Sequence, residues 1–199
     1  MERFIRGGVF VLCLVPFAWT VYAAVTGGLG PDPAEALMHV TGEWSLRILA
    51  LTLLISPLRA WTGWAVLMKL RRMLGLYAFF YGCIHLLSFL QFFIGWTPAA
   101  LAEELVERPY ITVGFGAWLL MLPLAITSTR GMQRRLRRNW RRLHRLVYPA
   151  AVLACLHLLW QARSDIGEAL VYIGVFAALL GWRLKRRYQR QRAPAIARV

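Results

Sequence analysis

The chain has 199 residues, of which 59% are hydrophobic, and it carries a formal net charge of +15. Soluble domains of this length are usually about 45–50% apolar, so the composition excludes an ordinary soluble domain. The charge alone would suggest a nucleic-acid-binding protein. However, the basic residues flank apolar runs and form no basic stripe along a soluble fold, which argues against that function class.

Six stretches of the chain are long and apolar enough to cross a bilayer, since a membrane-spanning helix needs about 20 mostly apolar residues. The predicted spans are 8–25, 40–58, 74–95, 111–128, 146–162 and 167–184. They leave no room for a soluble domain of more than trivial size. We therefore predict an all-α, polytopic membrane bundle of about six transmembrane helices that forms a single domain over residues 1–199.

The charges between the predicted spans alternate along the chain. The segments before the first span and after the second, fourth and sixth, with the adjoining span ends, contain all but three of the 24 lysines and arginines. The other loops and their adjoining span ends contain all but one of the nine acidic residues. Cytoplasmic loops are enriched in Lys and Arg, so this pattern predicts that both termini lie in the cytoplasm, where the basic tail contacts anionic lipid headgroups.

Two histidines lie at similar depths in the predicted bundle. His85 is about 17 Å into the third span, and His157 lies well inside the fifth, which runs in the same direction. Neutral imidazole is a good iron ligand, and two imidazoles at one depth are what a six-coordinate b-type haem requires. The alternative is that each histidine only bonds to a neighbouring helix. His39, at the outer edge of the second span, is predicted to be interfacial.

A second histidine of the fifth span, His144, opens that span at the cytoplasmic face. At the same depth on the third span stands Arg71, which lies within about 40° of the helix face that carries His85. Arg71 could hold a haem propionate, line a quinone or flavin site, or anchor the helix among lipid headgroups. On a straight helix His144 and His157 point about 140° apart, so either the helix bends near Pro149 or the two histidines serve different sites.

Arg47 lies roughly 10 Å inside the outer boundary of the second span. A lone arginine at such a depth costs about 2.5–3.5 kcal/mol on insertion scales, so an anionic partner is expected. Glu43, one helical turn earlier, is one candidate partner. A propionate of an outer haem is the other, and the sequence leaves both open.

Four segments of the chain closely resemble the MsrQ (YedZ) family, the haem-bearing membrane subunits of the MsrPQ methionine sulfoxide reductase system. They are TGEWSLRILALTLLISPLR (41–59), RRMLGLYAFFYGCIHLLSF (71–89), RPYITVGFGAWLLMLPLAITS (108–128) and NWRRLHRLVYPAAVLACLHLLW (139–160). The resemblance implies a ferric-reductase-like transmembrane domain with one haem b or two. It also implies that His85, His144 and His157 are the haem-associated histidines, and that FMN is a further cofactor.

The related NADPH oxidases carry two histidines on the third helix, spaced like Arg71 and His85, so Arg71 departs from the pattern that a second bis-histidine haem requires. The resemblance further implies an electron relay in the bacterial inner membrane, which takes electrons from membrane quinol or from a cytoplasmic flavin reductase. The acceptor would be MsrP, a periplasmic molybdenum enzyme that repairs oxidised methionines. The sulfoxide chemistry would then belong to the partner subunit, and this chain would have no catalytic residue of its own.

Two other functions stay open at this point. One is a stand-alone transmembrane reductase of ferric iron or small molecules, and the other is a helical membrane protein without a cofactor. For the relay, the acidic outer loops predict where the partner protein docks. The residues of this predicted rim are Glu103, Glu104, Glu107 and Asp165.

Overall fold

The apolar runs fold into helices whose ends are set by proline, glycine and capping side chains. The computed structural model describes residues 1–162 and 166–196. Its helices are α1 (Glu2–Thr26), α2 (Pro33–Thr62), α3 (Val66–Phe89), α4 (Pro98–Glu107), α5 (Pro109–Ile126), α6 (Arg130–Leu143), α7 (Val147–Gln161) and α8 (Gly167–Ile196). A π-helical segment, Leu90–Ile94, extends α3, and a 3₁₀ turn, His144–Leu146, precedes α7. No strand occurs within these described ranges, so the predicted all-α class is confirmed.

Local chemistry explains where α2 begins and ends. The Asp32 side chain accepts a hydrogen bond of 2.9 Å from the Glu35 N–H, which caps the start of α2. Pro33 follows in the first turn, where its missing N–H costs nothing. At the other end Gly63 adopts φ 73°, the left-handed conformation that terminates many helices. The resulting helix is longer than the predicted span at both ends.

Five helical stretches are long and apolar enough to cross a membrane, which makes the chain a multi-pass membrane protein. These stretches are Glu2–Thr26, Val66–Ile94, Pro109–Ile126, Arg130–Gln161 and Gly167–Gln189. They contain five of the six predicted spans almost entirely. The remaining predicted span, 40–58, falls within α2. This helix is not among the five apolar stretches, because polar side chains such as Glu43 and Arg47 interrupt its apolar run.

The packing of α1 against α3 shows that α2 nevertheless traverses the bundle. The Tyr77 hydroxyl donates to the Phe10 carbonyl at 3.1 Å, and the Tyr81 hydroxyl donates to the Cys13 carbonyl at 2.8 Å. Contacts in this order require α1 and α3 to run in the same direction. The chain must therefore return along α2 between them, which is consistent with six crossings.

The buried core includes residues of α2, α3 and α7. Leu53, Ala78, Ala150 and Ala151 are fully buried, and Tyr81 is 1% exposed. The three alanines let the helices approach closely, as small residues usually do between membrane helices. Large apolar side chains on the outer surfaces of α1 and α8 are exposed, as expected for faces that contact lipid.

Two helices that no span prediction contained cover the ends of the bundle. α6 lies at the end where α3 begins, which we call the basic end, and its single non-helical residue, Arg137, has φ 46°. α4 lies at the opposite end, which we call the acidic end. Both helices are amphipathic rather than apolar throughout, so a search for apolar runs does not detect them.

Candidate haem site

The imidazole rings of His85 on α3 and His157 on α7 lie next to each other inside the bundle. Their centroids are 6.2 Å apart, and the ring planes are inclined by 77°. Both helices run from the basic end to the acidic end, so equal distances along them give equal depths. The structure thus places together the two histidines whose depths matched in the sequence.

Each of these rings is held by one hydrogen bond to a backbone carbonyl. The Nδ1 atom of His85 lies 2.9 Å from the Met38 oxygen, and that of His157 lies 2.7 Å from the Tyr110 oxygen. A carbonyl oxygen can only accept a hydrogen bond, so both Nδ1 atoms carry the hydrogen. In the neutral ring Nε2 then keeps its lone pair, which is the form in which imidazole binds a metal.

The spacing of the two rings fits a single metal between them. A metal–nitrogen bond is about 2 Å long, so imidazoles that ligate one ion from opposite sides have centroids roughly 6 Å apart. Within residues 1–162 and 166–196 no group of three or more His, Cys, Asp or Glu side chains could hold a metal ion by itself. The pair therefore suits an iron whose other four ligands come from a porphyrin.

Two glycines line the histidine pair. A Cβ atom built on Gly42 would lie 3.0 Å from the His85 Nδ1 atom, and one built on Gly114 would lie 2.7 Å from the His157 Nδ1 atom. Sequence reasoning missed both glycines and also the two carbonyls. A backbone carbonyl leaves no sequence signal, whereas the glycines could have been found, since each lies 43 positions before a paired histidine.

His144 is held in a different way, at the basic end of α7. Its ring centroid is 4.0 Å from that of Trp140, and its Nε2 atom is 3.2 Å from the Thr127 hydroxyl. That hydroxyl donates its only hydrogen to the Pro123 carbonyl at 2.6 Å. The Nε2 atom of His144 must therefore be the donor to Thr127, and the lone pair of the neutral ring is on Nδ1.

A 3₁₀ turn, His144–Leu146, comes slightly before Pro149, which sits in the regular first turn of α7. A 3₁₀ turn rotates the chain by about 120° per residue instead of 100°. Over three residues this adds roughly 60° and brings His144 partly round towards the face of His157. His144 still contacts α5 and α6 rather than the histidine pair.

Arg71 is half-buried at the basic end, close enough to act electrostatically on His144 and on Arg183 of α8. Arg183 was not singled out in the sequence. It donates to the backbone carbonyls of Leu179 and Leu53, and its guanidinium lies 5.7 Å from the Tyr148 ring centroid. Among the described residues neither arginine has a carboxylate partner, so this end of the bundle is strongly electropositive.

Comparison with known proteins gives the family of the chain. Residues 41–155 match the family of ferric reductase like transmembrane components. Among the similar curated proteins, one from Xanthomonas campestris pv. campestris (strain 8004) is 52% identical over 177 residues, which are 89% of this chain and 81% of the relative. One from Rhodospirillum rubrum is 46% identical over 195 residues, 96% of this chain and 93% of the relative. Both relatives are named protein-methionine-sulfoxide reductase heme-binding subunit MsrQ. The chain belongs to the MsrQ family. No solved structure matches it significantly.

Arg47 of this MsrQ-family chain points towards α8 rather than towards the histidine pair. Its guanidinium is 2.7 Å from the Glu43 carboxylate, and its Nε atom donates to the Tyr172 hydroxyl at 3.0 Å. It also lies 5.1 Å from the centroid of the Trp44 ring. Glu43 is thus the anionic partner that is present in the chain itself, and a contact of Arg47 with a haem propionate stays a prediction.

Three of the four predicted rim residues lie on α4 at the acidic end. Glu103 and Glu107 are exposed one turn apart, whereas Glu104 is less exposed and lies 3.2 Å from the Arg108 guanidinium. Asp165 lies outside the described residues. At the same end His39 is 46% exposed and pairs with Glu35 at 3.5 Å, in keeping with the interfacial position predicted for it.

Proposed function

We propose that this chain is a haem b electron relay of the bacterial inner membrane that supplies a periplasmic methionine sulfoxide reductase, MsrP. The observation that supports this most strongly is the pairing of His85 and His157, each with its Nδ1–H donated to a carbonyl and its Nε2 free. The names of relatives at 46–52% identity, which are called heme-binding subunits, support the same cofactor.

In this proposal His85 and His157 would hold one haem b through their Nε2 atoms. A haem held by both imidazoles would supply one-electron transfer rather than oxygen chemistry. The protein contributes the ligand orientation and an apolar, water-poor surrounding, both of which tune a reduction potential. The chain has no catalytic residue for sulfoxide reduction in this scheme, because the sulfoxide chemistry belongs to MsrP.

Electrons would enter at the basic end, where Arg71, His144 and Arg183 gather near the predicted cytoplasmic face. An electropositive surface of this kind suits a donor with negative charge, such as a reduced FMN or a flavin reductase that carries it, and membrane quinol is the other donor proposed. FMN as a second cofactor rests on family resemblance alone. Electrons would leave at the acidic end, where α4 carries exposed carboxylates.

Spectroscopy and activity measurements test the proposal in two steps. The purified full-length chain should contain about one low-spin b-type haem with a reduced-minus-oxidised spectrum typical of bis-histidine ligation. A preparation reconstituted with haem that binds none would favour a cofactor-free bundle. Electron transfer measured with and without MsrP then separates the relay from a stand-alone reductase, since only the relay requires the partner for turnover.

A further inference from the structure

The surroundings of the two paired histidines repeat each other along the chain. In each unit a backbone carbonyl, a glycine one helical turn later and the histidine that contacts both occupy equivalent positions. Corresponding residues lie 72 positions apart, namely Met38 and Tyr110, Gly42 and Gly114, and His85 and His157. The helix pairs α2–α3 and α5–α7 are therefore two copies of one arrangement that face each other across the site.

The repeat extends into the buried contacts next to the site. On the first helix pair Ser45 donates to the carbonyl of Ala78 at 2.8 Å. The residues 72 positions later are Ala117 and Ala150, which are 5% and 0% exposed. Both copies thus carry small side chains at these corresponding positions next to the site.

Helix geometry explains why a glycine follows the carbonyl by four positions. In an α-helix the carbonyl of residue i accepts from the N–H of residue i+4, so the side chain of residue i+4 stands beside that oxygen. The oxygen has a second lone pair, but an imidazole can reach it only if residue i+4 has no side chain in the way. Gly42 and Gly114 provide this opening in α2 and α5.

The clearance is so small that even a methyl group would displace the rings. A Cβ atom on Gly114 would lie 2.7, 2.8 and 2.9 Å from three atoms of the His157 ring. A Cβ atom on Gly42 would lie 3.0 and 3.2 Å from two atoms of the His85 ring. Non-bonded carbon and nitrogen atoms prefer about 3.5–4.0 Å, so each ring would have to tilt away and weaken its hydrogen bond to the carbonyl.

We infer that Gly42 and Gly114 are matched positioning residues that, with the Met38 and Tyr110 carbonyls, set the direction of the Nε2 lone pairs of His85 and His157. Each carbonyl holds its ring by Nδ1, and each glycine lets the ring lie flat enough against the helix to be held. This inference rests on the proposed function, because the direction of Nε2 matters only if both atoms bind one iron.

Alanine at either glycine tests the inference, with alanine at two other glycines as matched controls. A Cβ on Gly116 of α5 would meet only Leu153 at 3.6 Å, and one on Gly75 of α3 would meet only Thr52 at 3.6 Å, both ordinary contacts.

Gly114→Ala should bind haem about 10–100-fold more weakly, the usual effect of losing a residue that orients a metal ligand, and Gly42→Ala should have a smaller effect. The haem that remains should show shifted low-spin EPR g values and a shifted midpoint potential. If Gly114→Ala and Gly42→Ala match Gly116→Ala and Gly75→Ala in all three measurements, the inference is wrong.

A thermal cycle keeps the test valid if Gly114→Ala folds poorly. The melting temperature of the haem-free protein is compared for Gly114→Ala, His157→Ala and the double variant. Because the added methyl meets the His157 ring, Gly114→Ala should lower the melting temperature of the wild type but not that of His157→Ala. An equal decrease in the wild type and in His157→Ala would contradict the contact between the added methyl group and the His157 ring. By contrast, a wild-type protein that binds no low-spin haem overturns the proposed function itself.

Discussion

His157 on α7 and His144 in the 3₁₀ turn before it lie at two levels of the bundle, which differ in how the imidazole is held. At the level of His157 two equivalent rings face each other. Each ring donates its Nδ1–H to a backbone carbonyl and keeps the lone pair on Nε2. At the level of His144 the ring packs on Trp140 and donates its Nε2–H to the Thr127 hydroxyl. On α3 this level is occupied by Arg71 rather than by a histidine. The opposite tautomers of the two histidines are set by which neighbour accepts the hydrogen bond.

This difference teaches that a histidine in a membrane helix is not by itself a metal ligand. An imidazole can bind a metal through Nε2 when its neighbours take the Nδ1 hydrogen and leave Nε2 unprotonated in an apolar space. The rings of His85 and His157 both meet these conditions. At the His144 level Nε2 is occupied by its hydrogen bond to Thr127, so a haem there would have to be bound through Nδ1, and two arginines without a carboxylate partner among the described residues lie close by.

The largest expected effect comes from removing a ring at the paired level. His85→Ala or His157→Ala should lower haem affinity by orders of magnitude, more than the roughly 10–100-fold cost of losing an orienting partner, because the iron loses a ligand itself. Haem per protein and low-spin absorbance after purification measure the effect. His39→Ala, which changes an exposed interfacial ring, serves as the control. Full low-spin haem in both His85→Ala and His157→Ala would show that this ligand pair is wrong.

A smaller effect is expected at the His144 level. Arg71→Ala should slow haem reduction by a flavin or quinol donor roughly tenfold at low salt, because the positive charge that concentrates an anionic donor is removed, while haem stays bound. Stopped-flow reduction kinetics measure the rate, and the exposed neighbour Arg72→Ala is the control. Loss of all haem in Arg71→Ala would make this residue structural, and unchanged kinetics would remove it from the entry region.

The acidic end should contribute through long-range charge rather than through contacts at the haem. Neutralising Glu103, Glu104, Glu107 and Asp165 to the corresponding amides should lower the rate of electron transfer to MsrP several-fold, up to about tenfold, at low ionic strength. The difference should disappear at about 1 M salt, where the screening length falls to about 3 Å. Glu2→Gln at the basic end is the matched control. Equal rates at low ionic strength would mean that this rim does not steer the partner.

The contrast between the two levels also shows how far the sequence could predict the site. Span ends and the rise per residue give the depths of His85 and His157, so their equal depth was predictable from apolar runs, whereas the facing of their helices was not. The direction of each ring was not, because it depends on the Met38 and Tyr110 carbonyls, and every residue has a carbonyl. The tautomer of His144 depends in the same way on Thr127, which is distant in sequence and unremarkable in type.

Two features of the fold were predictable in principle but were missed. The amphipathic helices α4 and α6 lack an apolar run, although the charge pattern of α6 has helical periodicity. The internal repeat has too little overall identity to be noticed, yet a comparison of the two halves at an offset of 72 positions aligns the glycine and the histidine at once. The repeat is therefore visible only when positions are compared by their role.

The smallest effect is expected at Arg47, on the side of α2 that faces away from the histidine pair. Tyr172→Phe removes the hydroxyl that accepts from the Arg47 Nε atom and should lower the free energy of unfolding by about 1 kcal/mol or less, since the pair is only part-buried. The haem spectrum should not change, because Glu43 still neutralises the arginine at 2.7 Å.

Arg47→Gln distinguishes the two partners of Arg47 that the sequence left open, namely Glu43 and a haem propionate. If Glu43 is the functional partner, Arg47→Gln and Glu43→Gln should destabilise the protein to a similar extent and leave haem content intact. If Arg47 instead holds a propionate, Arg47→Gln should lower haem content while Glu43→Gln leaves it unchanged, and the haem site would then extend further towards α8 than the histidine pair alone indicates.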